Sequence, residues 1–506
     1  MILGDLVKRN AKRYPHKTSL VFGAARFTFD ESNRRINSMA NALLDLGLQR
    51  QDRVAILLDN CHQYIELYYA IPEAGGIVVP LNIALSATEL AYIINDAGAK
   101  ILVFGERLAP LVDSLLPQLS AVKTTVIVGA PSKDACSYEQ LVTRYPATAP
   151  QVAVNEQDTA CLLYTSGTTG MPKGVMHTHR SIIENGLNFI IGYHVNHDDI
   201  GLVVSPLFWG SGLVVNIIPQ CYTGGTLVIA ENVTPEAILD VIQQEKVTST
   251  FLTPPAIAVI LEHPQLGKHD LTRLRHVSFA GMPMPVDTLK RAIETVGNVF
   301  FQCYGMTESP CIAMIYHEDQ VIEGSPEKVN RLSSCGREDP NVELRVVDED
   351  GRDVPPGQVG EIISRGEHLM KGYWRMPQAT AEALRDGYMH TGDLATIDEN
   401  GYIYLVGRKK DLIVSGGQTV YALAIEEVLY QHPWVAEAAV IGVPDPKLGE
   451  AVKAVVVARQ GNQVTAAEII DFCRQRLPEY ACPHSVVFRE KLPRSASGKI
   501  LKRMLQ

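Results

Sequence analysis

The chain has 506 residues, more than one hydrophobic core usually holds, so two or more domains are expected. Hydrophobic residues make up 46% and charged residues 20%, the balance of a globular protein folded in water. A formal net charge of -10 argues against non-specific nucleic-acid binding; a nucleotide ligand stays possible, because local donors outweigh distant charge at physiological ionic strength.

The first residues, Met1 to Arg9, read as an amphipathic helix rather than a signal peptide. Strands are expected at 53–58, 76–80 and 100–104. An apolar segment at 160–163 leads into a loop over 164–175, with a helix starting near Ser181. Five short buried strands follow at 201–205, 226–230, 249–253, 276–279 and 299–302. Helices at 235–245, 254–262 and 285–296 separate them, each with a proline in its first turn. That alternation predicts a largely parallel sheet covered by helices, and the segments before residue 130 predict a second layer of the same kind.

The pattern changes after about residue 335. Strands at 342–347, 360–365 and 402–406 are separated by Asp350-Gly351, Pro355-Pro356-Gly357 and Glu399-Asn400-Gly401, which is turn chemistry for antiparallel sheet. From about 411 a small α+β unit is expected, with helices at 425–431 and 466–476 around strands at 436–443 and 451–458. The nine cysteines contain no C-x-x-C pair, so neither a zinc nor a thioredoxin-type site is indicated and reduced, mostly buried thiols are expected. The apolar runs at 201–206 and 212–221 are far too short to span a bilayer. A cytoplasmic protein without a transmembrane segment is the expectation.

The loop Tyr164-Thr165-Ser166-Gly167-Thr168-Thr169-Gly170-Met171-Pro172-Lys173-Gly174 holds the densest chemistry. Glycines let backbone N–H groups turn toward an anion, hydroxyls add donors, and Lys173 adds charge. It reads as a phosphate cradle. It is not a Walker A loop, because Pro172 stands where the second glycine would be counted from Gly167. Four further segments follow: Gln302-Cys303-Tyr304-Gly305-Met306-Thr307-Glu308, Tyr388-Met389-His390-Thr391-Gly392-Asp393, Gly407-Arg408-Lys409-Lys410-Asp411, and Pro493-Arg494-Ser495-Ala496-Ser497-Gly498-Lys499. Each has a plain structural reading by itself: an N-cap threonine with an acidic first turn, a turn aspartate, a solvated linker and a basic tail.

Taken in order, these segments resemble the motifs of the adenylate-forming superfamily, which includes acyl-CoA synthetases, luciferases and peptide-synthetase adenylation domains. The resemblance runs over essentially the whole chain. It implies a large N-terminal domain over 1–409, built of two α/β layers and a β-barrel-like subdomain, and a small mobile α+β C-terminal domain over 410–506. ATP, Mg²⁺ and coenzyme A are the implied ligands. Thr165, Ser166, Gly167, Thr168, Thr169, Gly170 and Lys173 would bind phosphate, Tyr304 would pack on adenine, and Thr307 would contact the α-phosphate. Glu308 would help hold Mg²⁺; Asp393 and Arg408 would take the ribose or phosphate. Lys410 would be the hinge, and Lys499 the catalytic cation between the acid and the α-phosphate, where preorganised charge contributes ~3 kcal/mol or more. The same resemblance makes Lys499 a candidate for a lysine acetyltransferase, whose product would lack that charge.

Gly416 and Gly417 would line the pantetheine path. The chain departs from the family there, reading Tyr421-Ala422-Leu423-Ala424 without the usual proline and first glutamate, and Ala84 stands where relatives often carry arginine. The acyl pocket would be walled by Trp209, by Phe279, Ala280 and Gly281, and by Cys303 and Gly305. No acidic residue stands in these three segments to pair with a substrate amine, and the larger side chains at 209 and 303 leave an apolar slot. The expected substrate is a hydrophobic monocarboxylic acid, short or medium aliphatic, alicyclic or aromatic. The expected enzyme is an acyl- or aryl-CoA ligase, as a monomer or homodimer. An adenylating enzyme that loads a carrier protein and a luciferase-like oxygenase are the alternatives.

Overall fold

The computed structural model describes residues 1–131, 134–165, 171–282, 284–459, 461, 464–494 and 500–505. The chain divides into two compact units. The first comprises Met1–Leu332, Gly336–Glu343 and Arg365–Met389; the second comprises Ser333–Cys335, Leu344–Ser364 and His390–Gln506.

Among the described residues, the first unit carries sheets of nine and eight strands. In the nine-stranded sheet, Ile200–Val203, Thr226–Ile229, Ser249–Phe251, His276–Phe279 and Phe300–Met306 run parallel, as their Val/Ile/Phe-rich runs require. The helices Pro235–Gln244 and Pro254–Leu261 each begin on proline, and Thr234 caps the former by accepting from Ala237 N–H. With Val286–Val296 they bury Ile238, Leu239, Ile257, Leu289 and Ile293 against the strands. The eight-stranded sheet is parallel across Ile77–Pro80, Arg53–Leu57, Ile101–Gly105 and Thr124–Val128. The N-terminal helix Leu3–Arg13 buries Leu3, Leu6 and Val7. Two α/β layers were expected, and two are present.

Two hairpins were not expected. Phe300–Met306 turns back as Ser309–Ile315, and Thr159–Thr165 turns back as Lys173–Thr178, both antiparallel. Pro310 reads as a strand breaker, yet near the start of a strand it is tolerated. Residues 307–308 are therefore a tight hairpin turn, not the helix start that a threonine cap would make. The apolar run from Gly212 is a π-type turn, Gly212–Ile217, continued by the helix Ile218–Thr223.

In the second unit, residues 393–397 of the strand Tyr388–Ile397 pair antiparallel with Ile403–Arg408. A further antiparallel set runs Gln418–Tyr421, Leu412–Ser415, Gly449–Ala458 and Val435–Asp445, with Ser485–Phe488 added in parallel. The helices Ala422–Tyr430 and Ala466–Arg474 bury Ile425, Leu429, Ile469 and Cys473 against this sheet. Residues from about 411 thus form α+β structure, inside a compact unit whose last segment begins earlier, at His390. Among the described residues no helix is long and apolar enough to cross a membrane. All nine cysteines are free, and all but Cys61 and Cys136 are buried.

One buried pair in the first unit is poorly satisfied. Cys311 Sγ donates to Asp339 Oδ2 at 2.5 Å, while Asp339 Oδ1 has no partner among the described residues. Burial pushes the Asp339 carboxyl up to about 7, against the opposing pull of the Cys311 thiol. Between the ordinary aspartate range and pH 7 the folded state therefore binds more protons than the unfolded one, so stability falls as pH rises through that window. Asp339→Asn should flatten the decline, which is bounded by about 1.4 kcal/mol per pH unit, and raise stability at pH 8 relative to the native chain. Urea unfolding at pH 5 and pH 8 checks this; equal pH slopes for both chains would contradict it.

Candidate active site

The phosphate-type loop closes the hairpin Thr159–Thr165/Lys173–Thr178, whose last pair is Thr165 with Lys173. Ser166, Gly167, Thr168, Thr169 and Gly170 lie outside the described residues, as does Lys499. The side chain at the hairpin mouth is described. Lys173 Nζ stands 4.6 Å from the centroid of the Tyr373 ring. The Tyr373 hydroxyl donates to Glu308 Oε1 at 2.8 Å. An ammonium, an aromatic ring and a buried carboxylate thus form one chain of contacts within the first unit.

The turn that carries Glu308 is held from several sides. His177 Nε2 lies 2.7 Å from the Thr307 carbonyl and must donate to it, which leaves Nδ1 to accept from Ser181 Oγ at 3.3 Å. Burial pushes His177 down to about 4, so the ring is neutral at pH 7. Met370 N–H donates to the Glu308 carbonyl at 2.9 Å. Ser309 Oγ pairs with His368 Nε2 at 2.9 Å, and burial, with His177 nearby, pushes His368 down to about 4 as well. Two neutral imidazoles and one backbone amide therefore fix residues 307–309. Sequence reading missed Tyr373, His177 and His368. His177 alone had a signal, lying in a strand that leaves the phosphate-type loop.

Tyr304 is buried in the strand Phe300–Met306, opposite Ala313, and the register shifts just beyond it. Gly305 sits in that shift, where an added Cβ would stand 2.2 Å from the Pro310 carbonyl oxygen. Its role is therefore close backbone approach. Of the other pocket residues, Cys303 is buried with its Sγ toward the Tyr304 and Pro310 carbonyls. Trp209 is half-buried and meets Phe208 edge to face at 5.9 Å. Phe279 is fully buried in the core cluster between the nine-stranded sheet and its helices. Ala280 is half-buried, and Gly281 is exposed with φ +89°.

In the second unit Asp393 and Arg408 face each other across two strands, and Arg408 Nε pairs with Asp393 Oδ1 at 2.7 Å. The buried Glu361, which sequence reading also missed, accepts from Lys409 Nζ at 2.8 Å, His390 Nδ1 at 3.0 Å and Gly392 N–H at 3.0 Å. Burial alone would raise its pKa; Lys409 and His390 overcome that and hold it below the usual carboxylate range. Lys410 is exposed in the short turn Lys409–Asp411. Gly416 and Gly417, with φ of +57° and +79°, form the two-residue turn between Leu412–Ser415 and Gln418–Tyr421. In the departing segment Ala422 opens a helix, in which Glu426 accepts from Val440 N–H and pairs with Lys502 at 2.7 Å.

Residues 7–374 match the AMP-binding enzyme family, and 424–499 match the AMP-binding enzyme C-terminal domain. The chain belongs to the AMP-binding enzyme family. It is 38% identical to a feruloyl-CoA synthase of Amycolatopsis sp over 500 residues, covering 99% of this chain and 97% of that protein. It is 33% identical to an indoleacetate–CoA ligase of Aromatoleum aromaticum over 504 residues, covering 99% and 97%. The crystal structure of ATP-bound MatB from Rhodopseudomonas palustris is similar throughout, with TM-score 0.89, 31% identity and coverage of 100% and 98%.

The donor set at Glu308 suits a hard cation. Among the described residues no group of three or more His, Cys, Asp or Glu could hold a metal alone. A single buried carboxylate could supply one oxygen to Mg²⁺, an ion that keeps several waters and takes its other ligands from substrate oxygens.

The turn geometry carries a direct test. Gly305→Ala should lower unfolding stability by about 1–3 kcal/mol or more, because the new Cβ meets fixed backbone. Gly267→Ala, where nothing stands within 4 Å, should stay within about 0.5 kcal/mol in the same urea titration.

Proposed function

We propose that this enzyme is an ATP-dependent carboxylic acid:CoA ligase. The acid's carboxylate oxygen attacks the α-phosphorus of ATP, pyrophosphate leaves, and an acyl-adenylate forms. The thiol of coenzyme A then attacks the acyl carbon and AMP leaves. The observation that carries this reading is the contact chain Lys173–Tyr373–Glu308. It gives one site both a cation for phosphate oxygens and a carboxylate for a divalent metal. Family membership and the names of the similar proteins support the same chemistry.

In this reading the loop at 165–173 holds the phosphates and Thr307 meets the α-phosphate. Tyr304 packs on adenine, and Asp393 accepts from the ribose hydroxyls with Arg408 beside it. Glu308 would hold Mg²⁺, which neutralises charge on the phosphates when bound. Lys499 supplies the cation where the carboxylate approaches the α-phosphate, and the segment after Lys410 moves between the two half-reactions, with Gly416 and Gly417 beside the pantetheine arm.

The substrate is a hydrophobic monocarboxylic acid. Trp209, half-buried against Phe208, and the apolar surroundings of Cys303 favour it, and the relatives named for feruloyl and indoleacetate thioesters favour an aromatic member of the class. A pyrophosphate-release screen with ATP, Mg²⁺, CoA and a panel of acids should give its highest kcat/KM on aryl or arylalkyl acids. A preference for amino acids would refute the assignment. AMP release should require free CoA; release only with a loaded carrier protein would favour the carrier-loading alternative. Lys499→Ala should slow adenylate formation by ~10²-fold or more while leaving conversion of supplied acyl-adenylate largely intact.

A further inference from the structure

We propose that Tyr373 is a positioning residue for both charged ends of the nucleotide site, its hydroxyl fixing the Glu308 carboxylate and its ring face holding the Lys173 ammonium. The inference rests on the reading of Glu308 as the metal-binding carboxylate. No motif used to assign the function contains Tyr373.

The placement follows from strand register. Gly372–Tyr373 is a short edge strand paired antiparallel with Lys173–Thr178, with Tyr373 opposite Val175. Side chains alternate across a strand, so Tyr373 and its neighbour Trp374 turn to opposite faces. Trp374 N–H donates to the Gly174 carbonyl at 2.7 Å, and its indole N–H donates to the Asp96 carbonyl at 3.1 Å. Its Cβ and the Tyr164 ring both crowd the space next to Gly174. Tyr373 N–H donates to Thr380 Oγ1 at 2.9 Å, which ties the residue to the helix Pro377–Ala383. The strand is thereby clamped at the base of the phosphate hairpin, and the phenol has little freedom to turn.

The chemistry of the contact is one-directional. The phenol offers its O–H and the carboxylate offers acceptor oxygens, so Tyr373 donates and Glu308 accepts. Lys173 meets the ring face and Glu308 meets the hydroxyl, so the two opposite charges are held by different ends of one side chain. A direct ammonium–carboxylate pair would neutralise both groups. With the phenol between them, Lys173 remains available for phosphate oxygens and Glu308 for a cation.

Two substitutions separate the two ends. Tyr373→Phe removes the hydroxyl and keeps the ring; Tyr373→Leu removes both. The probe is Mn²⁺, titrated by electron paramagnetic resonance in the presence of α,β-methylene-ATP, with Glu308→Gln as reference. Binding of the same nucleotide in EDTA gives the metal-free affinity. Tyr373→Phe should weaken Mn²⁺ binding about tenfold, as expected for a lost hydrogen bond to a charged group, and leave metal-free nucleotide affinity within about twofold. Tyr373→Leu should weaken both; should it fail to fold, the Phe variant decides alone. Native Mn²⁺ affinity in Tyr373→Phe, with weakened affinity in Glu308→Gln, would overturn the positioning role and leave the reading of Glu308 standing. Unchanged affinity in Glu308→Gln would overturn both.

Discussion

A carboxylate taken out of water must be held by donors, and Glu308 is the place where this protein meets that requirement most sharply. Its side chain lies in a tight turn at the end of a buried strand. The Tyr373 hydroxyl supplies a donor, and it stands there because a separate edge strand pairs with Lys173–Thr178. Much else in the first unit serves the same turn. His177 and His368 are kept neutral by burial and bind its flanks, Met370 closes its backbone, and Gly305 lets the two strands approach. A charged imidazole at either position would be an uncompensated buried cation; neutrality makes both rings usable as struts.

The second unit solves a related problem differently. Glu361 is as buried as Glu308, but its partners are cationic or dipolar and crowd around it: Lys409, His390 and the amide of Gly392. This fixes both strands that carry Asp393 and Arg408, and it places Lys409 directly before the hinge candidate Lys410. One carboxylate is left able to take a cation; the other is saturated as structure. The difference lies in the partners rather than in depth of burial.

The parallel strands were readable from sequence because buried strands need continuous Val, Ile and Phe, and the helices because prolines and threonines mark their first turns. The two hairpins were not. Ser309–Ile315 has a proline as its second residue, which reads as a breaker, and Lys173–Thr178 mixes lysine, histidine and threonine into a strand buried at both His177 and Thr178. Among candidate site residues, those proposed from sequence lie within a few positions of one another, since chemistry-bearing types cluster there. The residues that hold them could not. Tyr373 is 65 positions from Glu308 and His177 is 130 from Thr307, distances that only strand order brings to contact. Phe279, expected at a pocket wall, is buried in the core cluster of the nine-stranded sheet.

The central claim is that the acid is activated through its own oxygen by forming an anhydride with AMP. Turnover of a carboxylic acid labelled with ¹⁸O in both carboxylate positions, with mass analysis of the nucleotide products, tests it directly. The account predicts AMP carrying one ¹⁸O in its phosphate and unlabelled pyrophosphate. Label in inorganic phosphate alongside ADP, or unlabelled AMP, would contradict it.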